Sequence, residues 1–195
     1  MAAVISTRIF SASAPVATEA ELLVRCQRFE PEALGDVFER FHDQVFAFLA
    51  ARTGDAGLSE ELTRETFIRA LALMGKHRNR GAGLGPWLLR VANGRLVERR
   101  GMRSGPAPAQ PISVDPGPEG EVTRLRAALD TLPPDQQEVL GLRFIAHLPL
   151  PVVARAVHRS QGGVRATQAR ALKALNRLLA TDGAAGDGVT GLETV

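Results

Sequence analysis

The residues of this chain that could do chemistry are cations set at helical spacing. Residues 151–180 carry six basic side chains and no acid. Residues 150–157 form a short apolar stretch, His158-Arg159-Ser160 reads as a tight turn with Ser160 as a helix N-cap, and 161–179 has the length of a full helix. On a wheel of about 100° per residue, Val164, Ala171, Leu172, Leu175, Leu178 and Leu179 share one side. Arg165, Ala166, Ala169, Arg170, Lys173 and Arg177 share the opposite side. An apolar seam backing a basic face with small residues suits close approach to a polyanion. Short helix, turn and long basic helix is the helix-turn-helix plan, in which the second helix enters the DNA major groove N-terminus first. A solvated face on an ordinary bundle helix is the plainer alternative, and the complete lack of acids weighs against it.

A second cationic patch lies at 76–103, with eight bases and one acid. Lys76, Arg78, Asn79 and Arg80 sit in a glycine-rich loop, and Arg90, Asn93, Arg95, Arg99 and Arg100 follow on a helix. Bases splayed from a single strand need such a flexible pocket with cationic walls. Trp87, the single tryptophan, opens that helix and is expected in the core. On the helix expected at 58–74, Leu58, Leu62, Thr66, Phe67, Ala70, Leu73 and Met74 form one apolar sector, leaving Glu61, Arg64, Glu65 and Ile68 on the other side. An apolar residue amid charges is what a protein-binding face looks like. A solvated face with one stray apolar residue fits the wheel as well.

Catalytic chemistry has no comparable support. No Ser/His/Asp arrangement occurs, no glycine loop precedes a helix as a phosphate cradle, and the four histidines lack metal-ligand spacing. Cys26 is the only cysteine, so neither a disulfide within the chain nor a cysteine metal cage can form. No catalytic residue, cofactor or metal site is expected, and the chain is read as a non-enzyme.

The elements that must position these residues are helices. With 45% hydrophobic and 23% charged residues in a chain of 195, real cores can form, so wholesale disorder is excluded. No apolar run reaches the roughly 18 residues a membrane span needs. Sustained period-2 alternation is missing and tyrosine is absent, which makes the fold class all-α. Helices are expected at 19–29, 32–52, 58–74 and 87–100, then at 121–131, 135–146, 150–157 and 161–179. Between the two sets, 104–120 holds five prolines in 17 residues. Such a linker runs extended at about 3.1 Å per residue. The expected organisation is therefore a tail at 1–18, a helical domain at 19–103, the linker at 104–120, a helix-turn-helix domain at 121–180 and a glycine-rich tail at 181–195. The apolar stretch at 2–5 is too short for a secretory signal, so a cytoplasmic location is expected. Charge is segmented: 19–75 carries 11 acids against 6 bases, ahead of the two basic patches. That pattern suggests nucleic acid at two places and a different partner for the acidic block.

Several of these blocks resemble a known family. Leu132-Pro133, Glu138-Val139-Leu140, Leu142-Arg143-Phe144 and Ser160-x-Gly162-Gly163-Val164-Arg165-Ala166, with Arg170-Ala171-Leu172, resemble region four of bacterial sigma factors, in particular the extracytoplasmic-function (ECF) group of the sigma-70 family. The run from Glu60 to Ala70 is similar to that family's E-D-L-x-Q-E-T-F-x-R-A block, and Pro86-Trp87-Leu88-Leu89-Arg90-Val91-Ala92 to its W-L-x-R-I-A block. The resemblance covers about 19–180. It implies a transcription initiation subunit that binds core RNA polymerase, at the clamp of the largest subunit and the flap of the second-largest, and promoter DNA. Glu61, Arg64, Glu65 and Ile68 would meet the clamp. Lys76, Arg78, Asn79, Arg80, Arg90, Asn93, Arg95, Arg99 and Arg100 would meet the −10 element. Arg165 and Arg170 would reach base edges or phosphates of the −35 element, with Lys173 and Arg177 nearer its backbone, Ala166 and Ala169 lining the groove, and Ser160, Gly162 and Gly163 at phosphates. An anti-sigma partner is also implied.

The sequence departs from the family pattern in places. Arg64 stands where Gln is frequent, Gly94 where Asn is usual, and His158 replaces the turn glycine, where a left-handed conformation carries a cost. A LuxR-type helix-turn-helix activator is the rival reading. It shares the C-terminal pattern, but often carries an α/β receiver domain that the helical first half does not support.

Overall fold

The computed structural model describes residues 18–77, 81–103 and 118–184. Four helices build the first half: α1 (Glu19–Gln27), α2 (Pro31–Thr53), α3 (Ala56–Met74) and α4 (Leu84–Arg103). The second half holds α5 (Pro118–Thr131), α6 (Pro134–Leu140), a π-helical turn (Gly141–Ile145), α7 (Leu150–Ala156) and α8 (Gln161–Ala184). Among the described residues there is no strand. Local chemistry starts and stops these helices. Thr18 and Glu21 form a capping box on α1, the Thr18 hydroxyl accepting from the Glu21 N–H and the Glu21 carboxylate accepting from the Thr18 N–H. Gly54, at φ +71°, ends α2 in the left-handed conformation, and the Asp55 side chain caps α3.

Several expected boundaries differ from those observed. Helix α4 begins at Leu84, three residues before the expected start, because Leu84 is fully buried and its N–H donates to the Glu19 carboxylate at 3.0 Å. The helix expected at 135–146 becomes α6 followed by the π-helical turn, where the Ala146 N–H reaches back to the Gly141 carbonyl (2.9 Å). Helix α8 continues to Ala184, so 181–184 belong to it, and 118–120 belong to α5. The rest of the expected linker, residues 1–17 and 185–195 of the expected tails, and residues 78–80 lie outside the described residues.

One apolar cluster runs through both halves. Leu22, Phe41, Val45, Leu49, Leu62, Leu88, Leu89 and Leu96 from α1–α4 are continuous with Val139, Leu142, Val153, Val157 and Val164 from the second half. Gly141 permits the close approach: a Cβ there would stand 3.2 Å from Phe48 Cζ and 3.4 Å from Arg52 Nη1. A smaller cluster, centred on Leu132, Leu140 and Ala171, holds α8 against α5 and α6. Leu172, expected on that seam, is instead 42% exposed. The elements α5, α6 and α7 cover only part of the circumference of α8, and the buried stripe narrows to Val164, Thr167 and Ala171.

Candidate nucleic-acid interfaces

Helix α8 is presented as its sequence dictates. The Ser160 hydroxyl accepts from the Gly163 N–H at 3.1 Å, and His158 turns the chain at φ +55°. Val164 and Ala171 are fully buried, which rotates Arg165, Ala166, Ala169, Arg170, Lys173 and Arg177 outward, all exposed. Arg170 Nη2 donates to the Thr167 hydroxyl (3.2 Å). Gly162 is exposed at the helix start and Gly163 half-buried, its N–H already capped by Ser160. Beside that start, Arg155, His158, Arg159, Ser160 and Gln161 line an open recess of about 490 Å3. Arg159 is braced by Asp135 (3.2 Å) and the Thr167 hydroxyl (3.1 Å). Neither Arg155 nor Arg159 was singled out by the sequence reading, although both belong to the acid-free stretch.

The second patch is different. Lys76 is exposed and Arg78, Asn79 and Arg80 lie outside the described residues. The arginines expected to form a cationic wall on α4 are paired with acids. Arg90 donates to Glu138 (2.8 Å) and to the Ala156 carbonyl (2.6 Å). Arg95 pairs with Glu65 (2.6 Å) and Glu98 (2.5 Å), and Arg99 with Glu61 (2.7 Å) and Glu65 (3.0 Å). Those hydrogen bonds, to Glu65 and to Glu61 respectively, raise the guanidinium pKa values of Arg95 and Arg99. Arg100 pairs with Asp130 and donates to the Arg52 carbonyl (3.1 Å). Asn93 departs furthest from expectation. It is 4% exposed and its amide oxygen accepts from Arg52 Nη1 (2.9 Å), so in this arrangement it faces the interior and presents nothing to DNA.

The α3 face changes character for the same reason. Glu61 and Glu65 are half-buried and held by Arg95 and Arg99, not free acids facing solvent. Arg64 is exposed, and Ile68 is 67% exposed. Leu71 and Phe38 are exposed too, and the Phe38 ring lies 4.9 Å from that of Phe67. The open part of this face is thus mainly apolar. Leu71 could have been found one turn beyond Ile68, whereas Phe38 comes from α2 and carries no signal on the α3 wheel.

Between the halves lies a polar network that sequence reasoning missed. Arg52 is 1% exposed, yet it sits near the end of an amphipathic helix, where an arginine normally reads as solvated. Its guanidinium donates to Asn93 and to Gln137 (2.8 Å) and lies 3.5 Å from Asp130. Gln137 in turn donates to the carbonyls of Asp130 and Leu132. Burial, reinforced by the charge of Arg100 and opposed by Asp130, pushes the Arg52 pKa down to about 10. Burial also raises that of Asp130, against the pull of Arg100 and Arg52. Trp87 packs on the core as expected, its ring 4.2 Å from that of His77. His77 Nε2 is buried without a partner, and burial, followed by the charges of His158 and Arg90, lowers its pKa.

No group of three or more His, Cys, Asp or Glu suited to a metal occurs among the described residues, nor does a helix long and apolar enough to cross a membrane. Comparison with known proteins identifies the two halves. The Sigma-70 region 2 family matches residues 37–104, and Sigma-70, region 4 matches 128–177. The region 2 match occupies the part of the chain where the LuxR-type reading would look for a receiver domain, and that reading is dropped. The ECF RNA polymerase sigma factor BldN of Streptomyces coelicolor is 31% identical over 175 residues, which cover 83% of this chain and 66% of that relative. ECF RNA polymerase sigma factor SigD of Mycobacterium bovis is 31% identical over 159 residues, covering 73% of this chain and 75% of the relative. The solved structure of CnrH in complex with the cytosolic domain of CnrY shares the fold, with a TM-score of 0.56 at 21% identity over 83% of this chain and 96% of that one. With both sigma regions in order and relatives of this identity and coverage, the chain belongs to the extracytoplasmic-function group of the sigma-70 family.

Proposed function

We propose that this chain is an alternative sigma factor that binds core RNA polymerase and directs promoter-specific initiation in the cytoplasm, acting by binding and without catalytic chemistry of its own. The observation that carries this reading is the orientation of α8. Full burial of Val164 and Ala171 turns a face of Arg165, Ala166, Ala169, Arg170, Lys173 and Arg177 to solvent, beside the exposed Gly162 at the helix start. That face suits the −35 major groove, with Arg165 and Arg170 nearest the base edges and Lys173 and Arg177 nearer the backbone. Residues 19–103 and 121–180 act as two functional domains. In the first, the glycine-rich loop with Lys76, Arg78, Asn79 and Arg80, and the arginines of α4, meet the −10 element once their acid partners are displaced. Ile68 and Arg64, with Leu71 and Phe38 beside them, dock on the clamp of the largest polymerase subunit, and the second domain meets the flap of the second-largest. An anti-sigma partner covering one of these faces belongs to the same proposal.

The test is promoter-dependent run-off transcription with purified core polymerase, comparing the wild type with Ile68→Glu. The wild type should form a holoenzyme and yield a discrete transcript. Ile68→Glu should keep its helical circular dichroism and lose core association. A wild-type chain that neither binds core polymerase nor yields a promoter-dependent transcript would overturn the reading.

A further inference from the structure

Thr167 is the polar member of the buried stripe on α8, 1% exposed between Val164 and Ala171. Its hydroxyl oxygen accepts from two guanidinium groups, Arg159 Nη1 at 3.1 Å and Arg170 Nη2 at 3.2 Å. The same Arg159 nitrogen donates to the Asp135 carboxylate of α6 at 3.2 Å. Two cations that share one oxygen repel each other, and the Asp135 charge offsets that repulsion by neutralising Arg159. The hydroxyl is then able to hold Arg170, which is otherwise exposed on the basic face. From this geometry we propose that Thr167 is a positioning residue for −35 recognition: its buried hydroxyl fixes the Arg170 guanidinium in the pose that reads a base edge. The proposal rests on the reading of α8 as the −35 contact.

The other buried threonines show what sets this one apart. Thr63 donates to the Ser59 carbonyl and Thr66 to the Leu62 carbonyl, both at 2.7 Å, so their hydroxyls serve the backbone of α3. The Thr167 oxygen instead serves two long side chains, one from the turn before α8 and one from α8 itself. That turn is fixed in its own right, since the Ser160 hydroxyl caps the Gly163 N–H. Arg170 keeps donors to spare. A guanidinium carries five N–H groups, and bidentate contact with guanine O6 and N7 takes two of them. A tether at one nitrogen sets the plane of the fork, and bidentate readout depends on that plane. An untethered Arg170 would supply the same charge to the groove while discriminating less between bases. Loss of the hydroxyl should therefore reduce specificity more than affinity.

The test uses the full chain and a pool of duplexes randomised over the −35 element. Bound duplexes are sequenced, and the enriched duplex and a scrambled one are then compared by anisotropy across a salt series. Thr167→Val keeps the shape and the β-branch and removes the acceptor, whereas Thr167→Ser keeps the acceptor. Thr167→Val should weaken base preference about two- to tenfold, the factor that ordering one rotamer-rich side chain contributes to binding. The loss should fall at one base-pair position, the same one that Arg170→Ala loses. Preferences elsewhere and the salt slope should match the wild type, because no phosphate contact is removed. Thr167→Ser should restore the preference, and Thr167→Val/Arg170→Ala should lose no more than Arg170→Ala alone. Where Thr167→Val loses helicity, Thr167→Ala carries the same test with a better helix former. A folded Thr167→Val chain that keeps every preference overturns the positioning role, as does an even loss at all positions or a loss that Thr167→Ser fails to restore. An Arg170→Ala chain that keeps every preference overturns it too, by making Arg170 a phosphate contact. A wild-type chain that enriches no sequence is a different failure, because it removes α8 as a reader and takes the −35 assignment with it.

Discussion

Replacing Arg52 tests the docking of the two halves most directly. Arg52→Ala removes a charged donor from Asn93 and Gln137, bonds worth about 1.5–3 kcal/mol each. It also leaves a cavity where the arginine stem was packed at 1% exposure, and leaves Asp130 with Arg100 as its remaining ion-pair partner. One term opposes these losses. A pKa pushed from its ordinary value down to about 10 means that holding the buried charge costs on the order of 3 kcal/mol, which a neutral residue recovers. The net expectation is a loss of about 3–5 kcal/mol, the range observed when one member of a buried pair is removed. Arg52→Met retains most of the stem and should lose about 2 kcal/mol less. Urea unfolding followed by Trp87 fluorescence and by far-ultraviolet circular dichroism measures both variants, with coincident transitions as the check on cooperativity. An Arg52→Ala variant within about 1 kcal/mol of wild type would mean that Arg52 is solvated and the halves are undocked in solution.

Three further outcomes follow from the geometry. Gly141→Ala should destabilise by about 1–2 kcal/mol despite the better helix former, because its Cβ would press on Phe48 and Arg52, both buried, and urea unfolding will show this. Arg165→Ala and Arg170→Ala should each lose about 1–3 kcal/mol of preference for cognate over scrambled −35 duplex, with stability unchanged within about 0.5 kcal/mol; equal weakening on both duplexes would assign the residue to phosphate. His77, which burial holds below its ordinary pKa and which faces Arg90 and His158, favours the folded state while neutral. That stabilisation is full above the unfolded value near 6.5 and is lost as pH falls below it, so His77→Gln should flatten the decline in thermal stability between about pH 7.5 and 5.5, with His158 unchanged in both proteins.

How much of this was legible in the sequence depends on the distance over which each feature is decided. The α8 seam, its Ser160 cap and its basic face are set by neighbours within a few turns, so the helical period exposes them. Ile68 was visible for the same reason. The early start of α4 was hidden because its cap, Glu19, lies 65 positions away. The Arg90–Glu138 and Arg52–Gln137 contacts span 48 and 85 positions, and no local pattern encodes them. A wheel can show that Arg90 and Arg100 leave the apolar sector, but whether they then meet water or an acid is decided by packing between elements.

The segmented charge of the chain therefore admits a reading that composition alone could not favour. An acidic block ahead of a basic one suggests two external partners of opposite sign, yet here much of the complementarity is internal. Glu61 and Glu65 of the acidic block are matched to Arg95 and Arg99 of the basic one. Ion pairs of this exposure contribute little net stability, because solvent and salt screen them. Their consequence lies in availability, since a ligand for α4 must displace carboxylates before it gains contacts. On α8, burial of Val164, Thr167 and Ala171 turns Arg165, Arg170 and Lys173 to solvent. An incoming duplex there meets open cations without first breaking a contact between the halves. In the proposed reading a duplex on α8 meets exposed cations at once, whereas an anion for Arg90 or Arg100 must first displace Glu138 or Asp130.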